Sequence, residues 1–215
     1  MGLPANSSSQ DALPDDIAAA VRLLRSGGVV AVPTDTLYGL AASAFHVGAV
    51  ERVYRIKGRS AAMALPLLLA DPDDVALCAA EVPEMAVALA SHFWPGPLTL
   101  VLRRSAAIPD AVTGGADTVA LRVPDHPVPR ALARALGAPI TGTSANRTGG
   151  PAPTTAGAVC AELGGEVDQI IDAGECPGGV ASTVLDLTGP TPVLVRAGAV
   201  TVSEIERVIG RRVAS

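Results

Sequence analysis

Apolar residues along the chain follow two patterns, one typical of helices and one typical of buried strands. Apolar positions three or four residues apart predict amphipathic helices, and short unbroken apolar runs predict strands inside a core. Proline and glycine separate most of these segments and predict the turns between them. The predicted helices cover residues 14–25, 47–56, 71–80, 83–93, 128–136, 155–163 and 201–209; the predicted strands lie at 29–33, 65–71, 94–104, 117–127, 168–172, 182–187 and 193–196, and one more within 138–155 runs into a polar loop.

Strands and helices alternate over the whole length, without a charged linker or a repeat of fixed period. We therefore expect a single α/β domain at residues 14–210, with a twisted sheet of mixed parallel and antiparallel strands flanked by helices. Parallel pairs are expected where a helix connects two strands, and antiparallel pairs near the close strands at 182–196. Residues 1–13 are interpreted as a flexible N-terminal leader and residues 211–215 as a C-terminal tail.

Composition and charge exclude several classes of protein. Of the 215 residues, 49% are hydrophobic and 17% charged, which is typical of a compact globular chain. The net charge of −5 and the five aromatic residues argue against a general nucleic-acid binder. No apolar run reaches the roughly 18 residues that span a bilayer, and the start lacks a targeting signal, so we expect a cytoplasmic protein without a membrane partner. The three cysteines match no metal or redox spacing, which predicts no metal site.

The basic residues are unusually biased, because fifteen are arginines and only Lys57 is a lysine. A lysine in such a background is expected where a guanidinium would not fit, for example against phosphate oxygens. The alternative is chance, since a single lysine must fall somewhere.

Four polar clusters follow the ends of apolar segments, at residues 33–39, 57–60, 121–126 and 141–150. Arg122 alternates with apolar neighbours on a predicted strand, so it must reach solvent, an acidic side chain or an anionic ligand. A salt bridge to an aspartate and a ligand contact both remain open. The clusters suit an anion-rich ligand such as a nucleoside triphosphate, although neither standard glycine-rich phosphate motif is present.

Six segments in chain order resemble the motifs of one enzyme family. They are PTDTLYGLAASAF, KGRS followed by LPLLLAD, WPGPLTLVL, DTVALRVPDHP, TSANRTGGPAPT, and GVASTVLDL followed by VLVRAG, and they extend over most of residues 14–210. Together they are similar to the YrdC/TsaC family, the threonylcarbamoyl-AMP synthases, in the single-domain form. The resemblance implies a YrdC-like catalytic domain.

The resemblance also implies a nucleotidyltransferase reaction. Members of the family condense L-threonine, bicarbonate and ATP to L-threonylcarbamoyladenylate and release pyrophosphate, with Mg²⁺ expected at the phosphates. A separate transferase complex then modifies the adenosine beside the anticodon of ANN-decoding tRNAs. The expected ligands are therefore threonine, bicarbonate and ATP, with the transferase complex acting downstream and a weak direct contact to tRNA left open.

The family's functional residues map onto nine positions of this sequence. The resemblance implies that Thr34, Arg122 and Ser182 bind L-threonine, that Lys57 and Arg59 act on the ATP phosphates as the catalytic pair, and that Thr118, Ser144, Asn146 and Arg196 complete the nucleotide site. One position departs from the pattern, because Ala70 stands near a histidine that contacts threonine in some members.

Two other interpretations of this sequence belong to different functional classes. A domain of the same fold could bind double-stranded RNA or tRNA, although the negative net charge weighs against this as its main role. A carbamoyl-transfer domain of the hydrogenase-maturation type is chemically close, but such proteins add zinc-finger C-x-x-C pairs that this sequence lacks.

Overall fold

A computed structural model describes residues 14–214, so the predicted leader at 1–13 lies outside the described residues. The helices are α1 Asp15–Arg25, α2 Val47–Lys57, α3 Val75–Cys78, α4 Glu84–Phe93, α5 Asp110–Thr113, α6 Pro127–Leu136, α7 Ala156–Leu163 and α8 Val202–Ile209, with a 3₁₀ turn at Pro72–Asp74. The strands are β1 Val30–Val32, β2 Gly39–Ala41, β3 Leu67–Leu68, β4 Leu98–Arg103, β5 Thr118–Arg122, β6 Ile140–Thr141, β7 Thr143–Ser144, β8 Gln169–Ile170, β9 Thr183–Asp186 and β10 Val193–Arg196.

The strands form two mixed sheets flanked by helices, which confirms the predicted fold class. The four-stranded sheet has the order β7-β2-β1-β8 and the six-stranded sheet has the order β10-β9-β4-β5-β3-β6. Parallel pairs occur between β1 and β8, β3 and β5, and β4 and β9. The pair β9–β10 is antiparallel, as expected for strands that follow closely along the chain.

The structure differs from the predicted single sheet because the segment 140–144 is divided at Gly142. Its first half, β6, pairs with β3 of the larger sheet, and its second half, β7, pairs with β2 of the smaller one. A side-chain carbon at Gly142 would lie 2.6 Å from Cγ of Leu68, so the two sheets approach too closely here for a larger residue. The bridge between Ser43 and Ile140 links the sheets beside this point.

Several predicted elements are shorter than expected, and β2 and α5 were not predicted at all. The predicted strand at 65–71 is reduced to β3, and the predicted helix at 71–80 is a 3₁₀ turn followed by the single-turn helix α3. β2 lacks β-branched residues, and its conformation comes from pairing with β1 and β7 on either side.

The apolar core lies between the sheets and their helices. One buried cluster packs α1 and α6 against β1, through side chains such as Ile17, Leu24 and Leu132, and a larger one fills the space around β4 and β5. In the larger sheet, the start of β4, the end of β5 and the start of β9 meet at one edge, because β4 runs parallel to β9 and antiparallel to β5. Among residues 14–214, no helix is both long and apolar enough to cross a membrane.

Candidate functional site

The turn after β1 is built around the hydroxyl group of Thr34. This oxygen accepts hydrogen bonds from the backbone N–H groups of Thr36 and Leu37, each at 3.1 Å, and lies 2.7 Å from the Leu37 carbonyl oxygen, to which it donates. The local bonds satisfy the hydroxyl and fix the turn, as serine and threonine commonly do. Thr34 therefore sets the direction in which Asp35 and Thr36 leave the strand.

Arg122 ends β5 at the edge of the larger sheet, and each of its three guanidinium nitrogen atoms donates one hydrogen bond, which leaves one further N–H on Nη1 and one on Nη2. Nη2 donates to Oδ1 of Asp35 at 2.5 Å, Nη1 donates to the Thr36 hydroxyl at 3.1 Å, and Nε donates to the Gly96 carbonyl at 2.9 Å. Burial lowers the pKa of Arg122, and the carboxylate of Asp35 opposes that effect. The salt bridge that the sequence left open is thus present in the structure.

Arg196 lies beside this ion pair and is held by Ser182. Its Nη2 donates to the Ser182 carbonyl at 2.7 Å and to the Ser182 hydroxyl at 3.0 Å, and the same hydroxyl lies 2.9 Å from that of Thr99. Burial, and then the positive charge of Arg122, lower the pKa of Arg196. We name Thr34, Asp35, Arg122, Ser182 and Arg196 the arginine cluster.

Lys57 forms a second group of polar residues at the end of α2. Its ammonium donates to the carbonyl oxygens of Ser144 at 2.6 Å and Asn146 at 2.8 Å, and to Oδ1 of Asn146 at 3.1 Å. The side-chain hydroxyl of Ser144 also donates to this amide oxygen, at 2.6 Å. Lys57 is only 4% exposed, and burial, followed by the charge of Arg59, lowers its pKa to about 8. We name Lys57, Arg59, Ser144 and Asn146 the lysine cluster.

Arg59 belongs to the lysine cluster by position and charge but makes no hydrogen bond to its other members, and Thr118 lies outside both clusters. Arg59 donates from Nη2 to the Ala64 carbonyl at 3.2 Å, while its buried Nε has no hydrogen-bond partner among residues 14–214. Thr118 begins β5 opposite Arg103, at the other end of the strand from Arg122. No side-chain hydrogen bond joins Thr118 to either cluster within the described part of the chain.

The smaller sheet brings the two clusters near each other. β2 follows the Thr34 turn and pairs with β7, so that Gly39 lies opposite Ser144. The backbone N–H of Ala145 donates to the Tyr38 carbonyl at 2.8 Å, which ties the Asn146 loop to the same turn. The two clusters therefore sit on adjacent loops at one side of the paired strands.

Sequence reasoning assigned no role to Asp35 of the arginine cluster, nor to three residues that hydrogen-bond to its members, namely Thr36, Gly96 and Thr99. Asp35 and Thr36 belong to the polar cluster at residues 33–39, and Gly96 belongs to the segment WPGPLTLVL. Their place in these segments could have marked them as site residues. The contact of Thr99 with Ser182 becomes apparent only from the pairing of β4 with β9.

Groove size does not identify the site. A groove of about 400 Å³ lies between α4 and α8, and another of about 160 Å³ lies near the 3₁₀ turn. Neither is lined by a residue of the two clusters. Buried polar groups that converge are the stronger indication of a binding site. Among the described residues, no three His, Cys, Asp or Glu side chains come together as a metal site would require.

Comparison with known proteins gives consistent matches over nearly the whole chain. The family model Sua5/YciO/YrdC, described as "Telomere recombination", matches residues 22–198. Threonylcarbamoyl-AMP synthase of Pyrococcus abyssi is 46% identical over 90% of this chain and 57% of its own length. Putative threonylcarbamoyl-AMP synthase of Mycobacterium tuberculosis is 36% identical over 93% of this chain and 91% of its own length.

A solved structure matches the chain over a similar length and at a similar identity. Pyrococcus abyssi Sua5 complexed with L-threonine superposes with a TM-score of 0.89 at 45% identity, over 92% of this chain and 58% of that one. The chain therefore spans a little over half of the length of the archaeal relative. The match of fold, order of motifs and sequence identity confirms the family that the sequence resembles: the chain belongs to the Sua5/YciO/YrdC family.

Proposed function

We propose that the protein is a threonylcarbamoyl-AMP synthase that acts in the cytoplasm and that residues 14–210 are its catalytic domain. It would convert L-threonine, bicarbonate and ATP to L-threonylcarbamoyladenylate and pyrophosphate, for use by a tRNA threonylcarbamoyl-transferase complex. The observation that supports this most is the adjacency of two cationic clusters, one suited to a carboxylate and one to phosphates. The names of the relatives, and the L-threonine in the Pyrococcus abyssi structure, point to the same reaction.

The arginine cluster is the proposed threonine side. A planar guanidinium matches a carboxylate with two parallel hydrogen bonds, so Arg122 is the proposed partner of the substrate carboxylate. Ser182 supplies a hydroxyl next to it, and Thr34 is proposed to act chiefly by fixing the turn that lines this side. Arg196 was predicted on the nucleotide side, yet it contacts Ser182, so we propose that it lies between the two substrates.

The lysine cluster is the proposed nucleotide side. Lys57 donates to three protein oxygen atoms, so it is proposed to act through its fixed positive charge or by exchanging one of these bonds for a phosphate oxygen. Arg59 donates only from Nη2 to a residue in 14–214, so its Nη1 is proposed to meet a phosphate oxygen. Ser144, Asn146 and Thr118 are proposed as further nucleotide contacts. Mg²⁺ in proteins is commonly held by substrate phosphates and water with one or two carboxylates, and it would neutralise phosphate charge here. With no carboxylate cluster among the described residues, the ion is proposed to arrive with ATP.

The chemistry needs no side-chain nucleophile. The ammonium of threonine first gives up a proton, and the neutral amine then forms a bond either to the carbon of bicarbonate with loss of water or to CO₂ with loss of a second proton; both routes give a carbamate. A carbamate oxygen then attacks the α-phosphorus, and the bond to the bridging oxygen breaks as pyrophosphate leaves. The protein holds the two substrates in line and stabilises the charge that develops on the phosphoryl oxygens.

Pyrophosphate release from ATP tests this proposal. We expect release to require threonine and bicarbonate together. Serine should be about tenfold to two-hundredfold poorer, because a missing methyl group is worth about 1–3 kcal/mol in an apolar pocket. Equal release without any added amino acid would refute the assignment.

The pH dependence of ATP use should show the loss of the positive charge of Lys57 as the pH rises. Its pKa of about 8 means that the ammonium form is lost as the pH rises through that value, whereas an ordinary lysine stays charged to about pH 10. We therefore expect kcat/KM for ATP to fall above about pH 8, since this parameter reports groups of the free enzyme. In Lys57→Arg the guanidinium stays charged, so the fall should disappear; an unchanged profile would contradict the role of Lys57.

A further inference from the structure

Among residues 14–214, Asp35 is the only residue whose carboxylate forms a hydrogen bond with Arg122 or Arg196. One of its oxygens, Oδ1, accepts from Arg122, and both side chains are largely buried, with 12% of Asp35 and 7% of Arg122 exposed. The other oxygen, Oδ2, accepts no hydrogen bond from any residue in 14–214. Oδ2 is not among the buried atoms that lack a partner in residues 14–214, so it is open to solvent and can exchange a water molecule for a donor from a ligand.

The charges of the cluster are complementary to an amino acid. Arg122 and Arg196 supply two positive charges, and burial, followed by the charge of Arg122, lowers the pKa of Arg196. Asp35 supplies one negative charge against the same guanidinium. A free α-amino acid presents a carboxylate and an ammonium group on the same carbon atom. The ligand carboxylate can pair with a guanidinium and the ligand ammonium with Asp35, whereas a simple carboxylate carries no group that pairs with Asp35.

We propose that Asp35 binds the α-ammonium group of the amino-acid substrate through Oδ2, while Arg122 binds its carboxylate. This inference rests on the proposed function and deepens it, because it names the residue that selects an amino acid over other carboxylates. The bond from Nη1 to Thr36 and the bond from Nε to Gly96 keep the guanidinium in place when the carboxylate approaches. The same contact would hold this nitrogen next to the carbon with which it reacts, after the ammonium has given a proton to bicarbonate or water and become the neutral amine.

The alternative role for Asp35 is purely structural. If it only neutralises Arg122, its removal should affect every carboxylate ligand alike, since all of them meet the same guanidinium. If it binds the ammonium group, its removal should affect only ligands that carry one. A ligand pair that differs in this group alone therefore separates the two roles.

Binding of L-threonine and of 2,3-dihydroxybutanoate, in which a hydroxyl replaces the amine, should be measured by calorimetry with wild type and Asp35→Asn. We expect Asp35→Asn to weaken threonine binding at least tenfold and to leave the hydroxy acid unchanged or tighter. Equal weakening of both ligands would overturn the proposal. Asp125→Asn is the matched control, because Asp125 is an exposed carboxylate nearby whose loss should leave both affinities unchanged.

Wild type alone keeps the inference testable if Asp35→Asn does not fold. Threonine should then bind at least tenfold more tightly than the hydroxy acid, and equal affinities would overturn the proposal. Failure of the proposed function has a different signature, namely threonine binding without pyrophosphate release from ATP. The role of Asp35 and the identity of the reaction are thus decided by separate measurements.

Discussion

We expect Arg122→Ala to weaken threonine binding by roughly 30-fold to 4,000-fold, while ATP binding changes little. The change removes the proposed partner of the substrate carboxylate and leaves Asp35 uncompensated beside it. Truncating one partner of a buried charged pair costs roughly 2–5 kcal/mol, and this range gives the expected factor. Separate titrations of threonine and ATP against the folded variant provide the measurement.

The control for Arg122→Ala is Arg103→Ala. Arg103 forms an ion pair with Asp117 on the same pair of strands, but both side chains are at least half exposed. Its loss should therefore be worth little and leave threonine binding intact. Loss of thermal stability in Arg122→Ala with normal threonine binding would show that the pair with Asp35 is structural only. Weaker binding of tRNA with normal threonine binding would instead favour an RNA-binding surface.

Lys57→Ala should lower turnover by about a hundredfold. The ammonium is buried and held by three oxygen atoms, so it is positioned before the substrate arrives and strengthens its contact as phosphoryl charge develops. Lys57→Arg should not restore full turnover, because the guanidinium is wider and planar. Single-turnover pyrophosphate release separates this effect from weaker ATP binding.

Arg55→Ala is the matched control on the same helix. Arg55 is an exposed basic residue of α2, so its loss removes one positive charge without entering the lysine cluster. We expect its turnover to be close to that of wild type. Near-normal turnover of Lys57→Arg would show that the single lysine of this chain is an accident of composition.

The sequence predicted the elements that depend on local pattern. The helices α1, α2, α4, α6, α7 and α8 match the predicted segments within a few residues, because each carries a clear apolar face. β2 was missed because its small residues have little intrinsic preference for a strand, and its neighbours in space determine its conformation. The division into two sheets was also missed, because it depends on the pairing of β6 with β3 and of β7 with β2, which are distant along the chain.

The candidate site was predictable in its members but not in its connections. Polar residues after apolar segments indicated where a ligand could bind, and the resemblance supplied their roles. No sequence pattern showed that Asp35 pairs with Arg122, or that Arg196 contacts Ser182, since these partners are 87 and 14 residues apart along the chain. The first pair arises only when the end of β5 meets the turn after β1, and the second only when β10 pairs with β9.

Transfer of carbon from bicarbonate to the nucleotide product tests the central proposal most directly. The protein should be incubated with ATP, L-threonine and bicarbonate labelled with carbon-13, and the products identified by mass spectrometry. We expect a threonylcarbamoyl adenylate that carries the label, formed in equal amount to pyrophosphate and only when all three substrates are present. Pyrophosphate release with AMP as the nucleotide product and no labelled adenylate, at the earliest measurable times, would contradict it.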